Sequence, residues 1–132
     1  MRVAAAIFIA VHGLGHIIWL FSTWMQPALG KEGRAELEAH RRHFLVEPKS
    51  LMGRVIGVLA VVVLIGFLLA AWGIWTETPW WPALLVGSAT LSMLVVLSMW
   101  NPIMRLSVRA LLADVALVTA VFMPWGERFL GH

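Results

Sequence analysis

Cysteine and tyrosine are both absent from this 132-residue chain. Without cysteine there are no disulfides, no thiolate-bound cofactor and no thiol redox chemistry. Charge is scarce as well: 13% of residues are charged, against about 25% in a typical soluble domain. The hydrophobic share, 61%, exceeds the roughly 45–50% of such domains. The formal charge of +3 comes without a nucleic-acid recognition module. Its basic residues sit beside apolar runs, which excludes nucleic acid as a partner. The length leaves room for one domain, 1–132.

What the chain does contain is four long apolar segments, Val3–Met25, Leu51–Trp75, Trp80–Trp100 and Ile103–Trp125. About 20 helical residues cross the hydrocarbon of a bilayer, and a helix satisfies its own backbone polar groups there. The fold expected is therefore all-α: a polytopic membrane protein, with four transmembrane helices in an antiparallel bundle. Pro27, Pro48, Pro79 and Pro102 punctuate the boundaries, as helix breakers do. Ala28-Leu29-Gly30 has the small residues of a signal-peptidase site. The apolar run before it is too long for a signal-peptide core of roughly 7–15 residues.

Lysine and arginine set the expected orientation. The first loop (26–50) and the start of the second span carry Lys31, Arg34, Arg41, Arg42, Lys49 and Arg54. The third loop and the start of the fourth span carry Arg105 and Arg109, whereas the second loop carries none. The positive-inside rule then makes loops one and three cytoplasmic, with both termini outside a bacterial-type inner membrane. Trp72, Trp75, Trp80, Trp81 and Trp125 would form an outer aromatic belt, and Trp24 and Trp100 would mark the inner interface. Gly53-x-x-x-Gly57, Gly66-x-x-x-Ala70 and Ser88-x-x-x-Ser92 supply the small-residue spacing that lets helices approach closely.

Ionisable groups at bilayer depth are costly and are functional-site hypotheses by default. His12 and His16 share one face of the first span with Trp19 and Thr23, and Ser107 and Asp114 share a face of the fourth. With the first span running inward and the fourth outward, His12, His16 and Asp114 fall at one depth. Trp19, Thr23 and Ser107 then stand beside them, the two hydroxyls on the cytoplasmic side. Three readings are open. A proton or cation relay needs groups whose protonation burial and neighbours can move. A divalent metal site would use two imidazoles and a carboxylate. A structural role would need only hydrogen bonds between helices, at about 0.6 kcal/mol each. A bis-histidine haem needs ligands on opposite faces of the iron, and the second to fourth spans contain no histidine. A dimer or a methionine ligand would be required. Gly13 stands where an HExxH protease carries its glutamate, so no catalytic residue is assigned.

The first loop is expected to hold a short amphipathic helix, Glu32–Val46. Glu36, His40, His43 and Glu47 align along it as a metal-ligand stripe, although Pro48 disfavours helix at Glu47. A solvated face beside anionic lipid headgroups explains the same pattern. The stretch His12-Gly13-Leu14-Gly15-His16 resembles the HGLxH opening of short four-helix bacterial membrane proteins with no settled function. That resemblance implies the four-span layout and neither a reaction nor a ligand. The function expected is a membrane-embedded binding or transport module. An accessory subunit of a larger membrane complex and a metal- or haem-dependent redox protein are the alternatives. A chain this short encloses little cavity, which makes room for a homodimer or a larger assembly beside the lipid bilayer.

Overall fold

The computed structural model describes residues 2–17, 46, 50–98, 105–124, 126 and 130. Among them the chain is all-helical, with α1 (Arg2–Leu14), α2 (Leu51–Trp75), α3 (Trp81–Ser98) and α4 (Arg105–Phe122). Helix α2 is apolar apart from Arg54 in its first turn and is started by Ser50, whose side chain accepts the Gly53 amide proton at 3.0 Å. A cap of this kind contributes about 1 kcal/mol. The helix ends in a left-handed turn: Glu77 has φ 59° and the Thr78 amide reaches back to the Gly73 carbonyl at 3.0 Å. Glycine normally fills that position.

Helices α2 and α3 are long and apolar enough to cross a membrane. At 1.5 Å per residue they measure about 37 and 27 Å. Helix α4 has the length of α3 but carries Arg105, Arg109 and Asp114. Of the span over Val3–Met25 that hydropathy predicts, α1 covers the part to Leu14; Gly15 and His16 form a turn, Ile17 is helical again, and the rest lies outside the described residues. Helix α1 stops at Leu14 after about 20 Å. The Gly15 amide is shared between the carbonyls of Val11 and His12, and the His16 amide bonds that of Gly13. The helix thus tightens from i−4 to i−3 bonding where Gly13 and Gly15, both poor helix formers, flank Leu14. Residues 18–45 lie outside the described part, and so does the helix expected over Glu32–Val46, apart from Val46 itself.

Packing runs α1 on α2, α2 on α3 and α3 on α4. The core is made largely of small and branched side chains, among them Ala5, Ile9, Ala60, Val63, Ala70, Leu85 and Val96, with the aromatic rings of Phe67 and Trp81. Two glycines set the closest approaches. A Cβ built on Gly13 would lie 2.7 Å from Cβ of Phe67, and one on Gly66 would lie 2.2 Å from Oγ of Ser88. The Gly66-x-x-x-Ala70 and Ser88-x-x-x-Ser92 faces are therefore partners, with Ala70, Ser88 and Ser92 all buried.

Polarity is distributed inside-out. Large apolar side chains such as Val11, Val62, Ile65, Leu94, Leu112 and Phe122 are exposed, whereas His16, Ser88, Ser92, Ser107 and Asp114 are buried. The outward-facing hydroxyls of Thr90, Ser98 and Thr119 each bond the carbonyl four residues back. Trp72, Trp75 and Trp80 are exposed, in keeping with a belt, but Trp81 is only 5% exposed. It is corrected from belt to core, because its Cβ closes over Gly73 at the α2–α3 turn. Trp24, Trp100 and Trp125 lie outside the described side chains.

Candidate functional site

Asp114 occupies the middle of α4 and is fully buried. Each of its carboxyl oxygens has a partner from a different helix. Oδ1 lies 2.7 Å from His12 Nε2 on α1, and Oδ2 accepts the Ser92 hydroxyl of α3 over 2.5 Å. Ser92 Oγ is in turn 2.7 Å from His16 Nε2. The result is a chain of four side chains, His16–Ser92–Asp114–His12, closed by residues far apart in sequence. Its exposure falls to zero at Ser92 and Asp114, with His16 at 3% and the His12 side chain at 10%.

Helix α2 supplies the wall. The Phe67 ring stands edge-on to His12, with centroids 5.0 Å apart, and tilted against His16 at 5.7 Å. The two imidazoles meet edge to face at 5.7 Å, and Phe8 stacks outside His12. Phe67 comes this close because Gly13 has no side chain between α1 and α2. An apolar ring against polar groups keeps water out and strengthens the electrostatic interactions between them.

A count of hydrogens assigns the donors. Ser92 has one hydroxyl hydrogen, and it goes to Asp114. Towards His16, Ser92 must therefore accept, so Nε2 of His16 carries a hydrogen and a neutral His16 leaves Nδ1 bare. That nitrogen is buried and makes no well-aligned hydrogen bond among the described residues, although the backbone carbonyls of Gly13 and His12 lie beside the ring. The His12–Asp114 contact has two proton placements of the same geometry: an ionised carboxylate accepting from Nε2–H, or a neutral acid donating to Nε2.

Of the residues singled out in the sequence, His12, His16 and Asp114 come together, although His16 reaches the carboxylate only through Ser92. Ser107 is fully buried two helical turns from Asp114 on the same face of α4, but its Oγ has no partner among the described residues and it stands outside the chain. Trp19, Thr23 and the stripe of Glu36, His40 and His43 lie outside the described residues. Among the described residues, no three histidine, aspartate or glutamate side chains have a metal-binding arrangement. Ser92 Oγ stands between His16 and Asp114. Ser92 and Phe67 are the site residues that sequence reasoning missed. Ser92 had a signal, since a hydroxyl buried in an apolar span needs a partner, but its spacing from Ser88 reads first as a packing motif.

No family model matches the chain, and neither a curated protein nor a solved structure does.

Proposed function

We propose that this chain is a small multi-pass inner-membrane protein whose His12, Asp114 and His16 handle protons or a cation inside a four-span bundle. Supporting the membrane setting are the two long apolar helices, the apolar exterior and outward hydroxyls that satisfy themselves within their helices. An orientation with both termini outside is supported by the pairing of Arg2 with Glu77. Leu130 also lines a cavity with Arg2 and the 77–82 turn. Arg2 and Leu130 thus gather at the α2–α3 turn, while the exposed Arg54 and Arg109 sit at the starts of α2 and α4.

The observation that carries the relay reading is the buried carboxyl of Asp114, hydrogen-bonded on both oxygens within a chain of groups that runs from His12 through Ser92 to the buried imidazole of His16. Helix-joining alone explains this poorly. Hydrogen bonds between membrane helices contribute about 0.6 kcal/mol on average. Each buried polar atom left without a partner costs about 1–3 kcal/mol, and Ser107 Oγ has none among the described residues. An apolar core of the same shape would hold the helices at least as well. Retaining an ionisable group at this depth is the mark of an ion or proton pathway.

The test is ion flux into vesicles holding the purified chain, with dyes for protons, sodium and potassium. Flux of one of these ions is expected in the wild type, with loss in Asp114→Asn and His16→Leu variants that remain folded. Wild-type vesicles no leakier than empty ones would remove the proposal.

A further inference from the structure

The relay reading names two classes of cargo, and the arrangement of the site decides between them. We infer, resting on that reading, that the cargo is the proton and that the Ser92 hydroxyl is the link that carries it between His16 and Asp114. A desolvated metal ion or alkali cation needs several lone pairs aimed at one point. Here the lone pairs aim at hydrogens instead: each of the three contacts, at 2.7, 2.5 and 2.7 Å, has heavy atoms at hydrogen-bond distance with no room for an ion between them. Every member of the chain can both give and take a hydrogen. That is the requirement for proton hopping, and it is not a requirement for cation binding.

The hydrogens balance. Take the resting state with Asp114 neutral, its Oδ1–H donating a hydrogen bond to a bare His12 Nε2, and His12 carrying its own hydrogen on Nδ1. A proton arrives at the bare Nδ1 of His16, a buried nitrogen beside the backbone carbonyls of Gly13 and His12, which can accept from Nδ1–H. His16 Nε2 gives its hydrogen to Ser92 Oγ as Ser92 gives its own to Asp114 Oδ2. Asp114 releases the hydrogen on Oδ1 to His12 Nε2, and His12 loses the hydrogen on Nδ1. One proton has entered and one has left. No heavy atom has moved, no bond other than those to hydrogen has changed, and every hydrogen bond has reversed its polarity. His12, the most exposed member of the chain, is the end that meets the surroundings. His16 and Ser107 lie on the side away from the Arg2–Glu77 pair, since each is further along its helix from that end.

The experiment compares Ser92→Ala with Ser88→Ala in vesicles loaded with a pH-sensitive dye, protons being driven by a potassium diffusion potential. Ser88 is buried one turn away on the same face of α3 and takes no part in the chain. Ser92→Ala is expected to slow proton flux by about tenfold or more, whereas Ser88→Ala keeps the wild-type rate. Proton flux that survives Ser92→Ala but is lost in Asp114→Asn would overturn this inference and leave the relay reading standing. Sodium or potassium flux through an Asp114-dependent path, without proton flux, would do the same. Absence of any flux would remove both. The ¹⁵N spectrum of His16 in the wild-type protein is a second readout that needs no variant. A hydrogen-bonded Nε2 is expected, and an Nε2 free of hydrogen bonding would overturn the chain.

Discussion

Replacing Gly13 with alanine tests the contact that brings α1 to the site. The added Cβ would sit 2.7 Å from Phe67 Cβ, where ordinary contact begins at 3.4 Å. The obstructing atom is the root of a buried ring, so it cannot swing aside, and α1 must move off α2 by about 0.7 Å, the shortfall between those two distances. Overpacking of this kind costs about 1–3 kcal/mol, partly offset by the roughly 1 kcal/mol that alanine gains over glycine in a helix. Gly87→Ala is the matched control, because a Cβ there meets nothing within 4 Å. It keeps the propensity gain without the clash. Gly13→Ala should therefore be less stable than Gly87→Ala by about 1–3 kcal/mol, with the control at or above wild type. Denaturation in detergent micelles, followed by circular dichroism, reads the difference. Equal stability of the two variants would refute the α1–α2 contact and, with it, the placement of His12 and His16 beside Phe67.

Three further outcomes are expected. Asp114→Leu strands the partners of both carboxyl oxygens and should destabilise by about 1–3 kcal/mol for each orphaned group; Asp114→Asn keeps the shape and should cost less, as measured in the same denaturation series. Glu77→Gly should be more stable than Glu77→Ala by about 1 kcal/mol, because both lose the Arg2 pair but only glycine adopts the left-handed φ of 59° without a penalty. Substituting Ser88 by a bulkier residue such as leucine should separate α2 from α3, since Ser88 already fills the space over Gly66; a loss of helix packing seen by tryptophan fluorescence checks it, and an unchanged melting profile would contradict it.

The long helices were readable because their signal is one of bulk. Leu51–Trp75 is an apolar run broken only by Arg54 in its first turn, with a serine before it, and the helix has those bounds. Helices α3 and α4 fall inside the segments 80–100 and 103–125. The turn after α1 was not readable from hydropathy, which scores glycine among apolar neighbours as neutral and ignores its poor helix propensity. Comparing depths of ionisable residues was enough to put His12, His16 and Asp114 on one level. It could not find Ser92, because a neutral hydroxyl costs little on a hydropathy scale and only the rotation of α3 decides whether it faces the carboxylate. Trp81 shows the same limit: two adjacent tryptophans point in different directions on a helix, so Trp80 lies outside and Trp81 packs over Gly73.

Asp114 is the chain's single aspartate, which makes it uniquely addressable by isotope labelling. Solid-state NMR on bilayer-embedded protein carrying ¹³C-aspartate and ¹⁵N-histidine would measure the contact on which the site depends. A dipolar coupling between the Asp114 carboxyl carbon and a His12 ring nitrogen is predicted, matching hydrogen bonding at 2.7 Å between Nε2 and Oδ1. A carboxyl carbon coupled to no histidine nitrogen would contradict it.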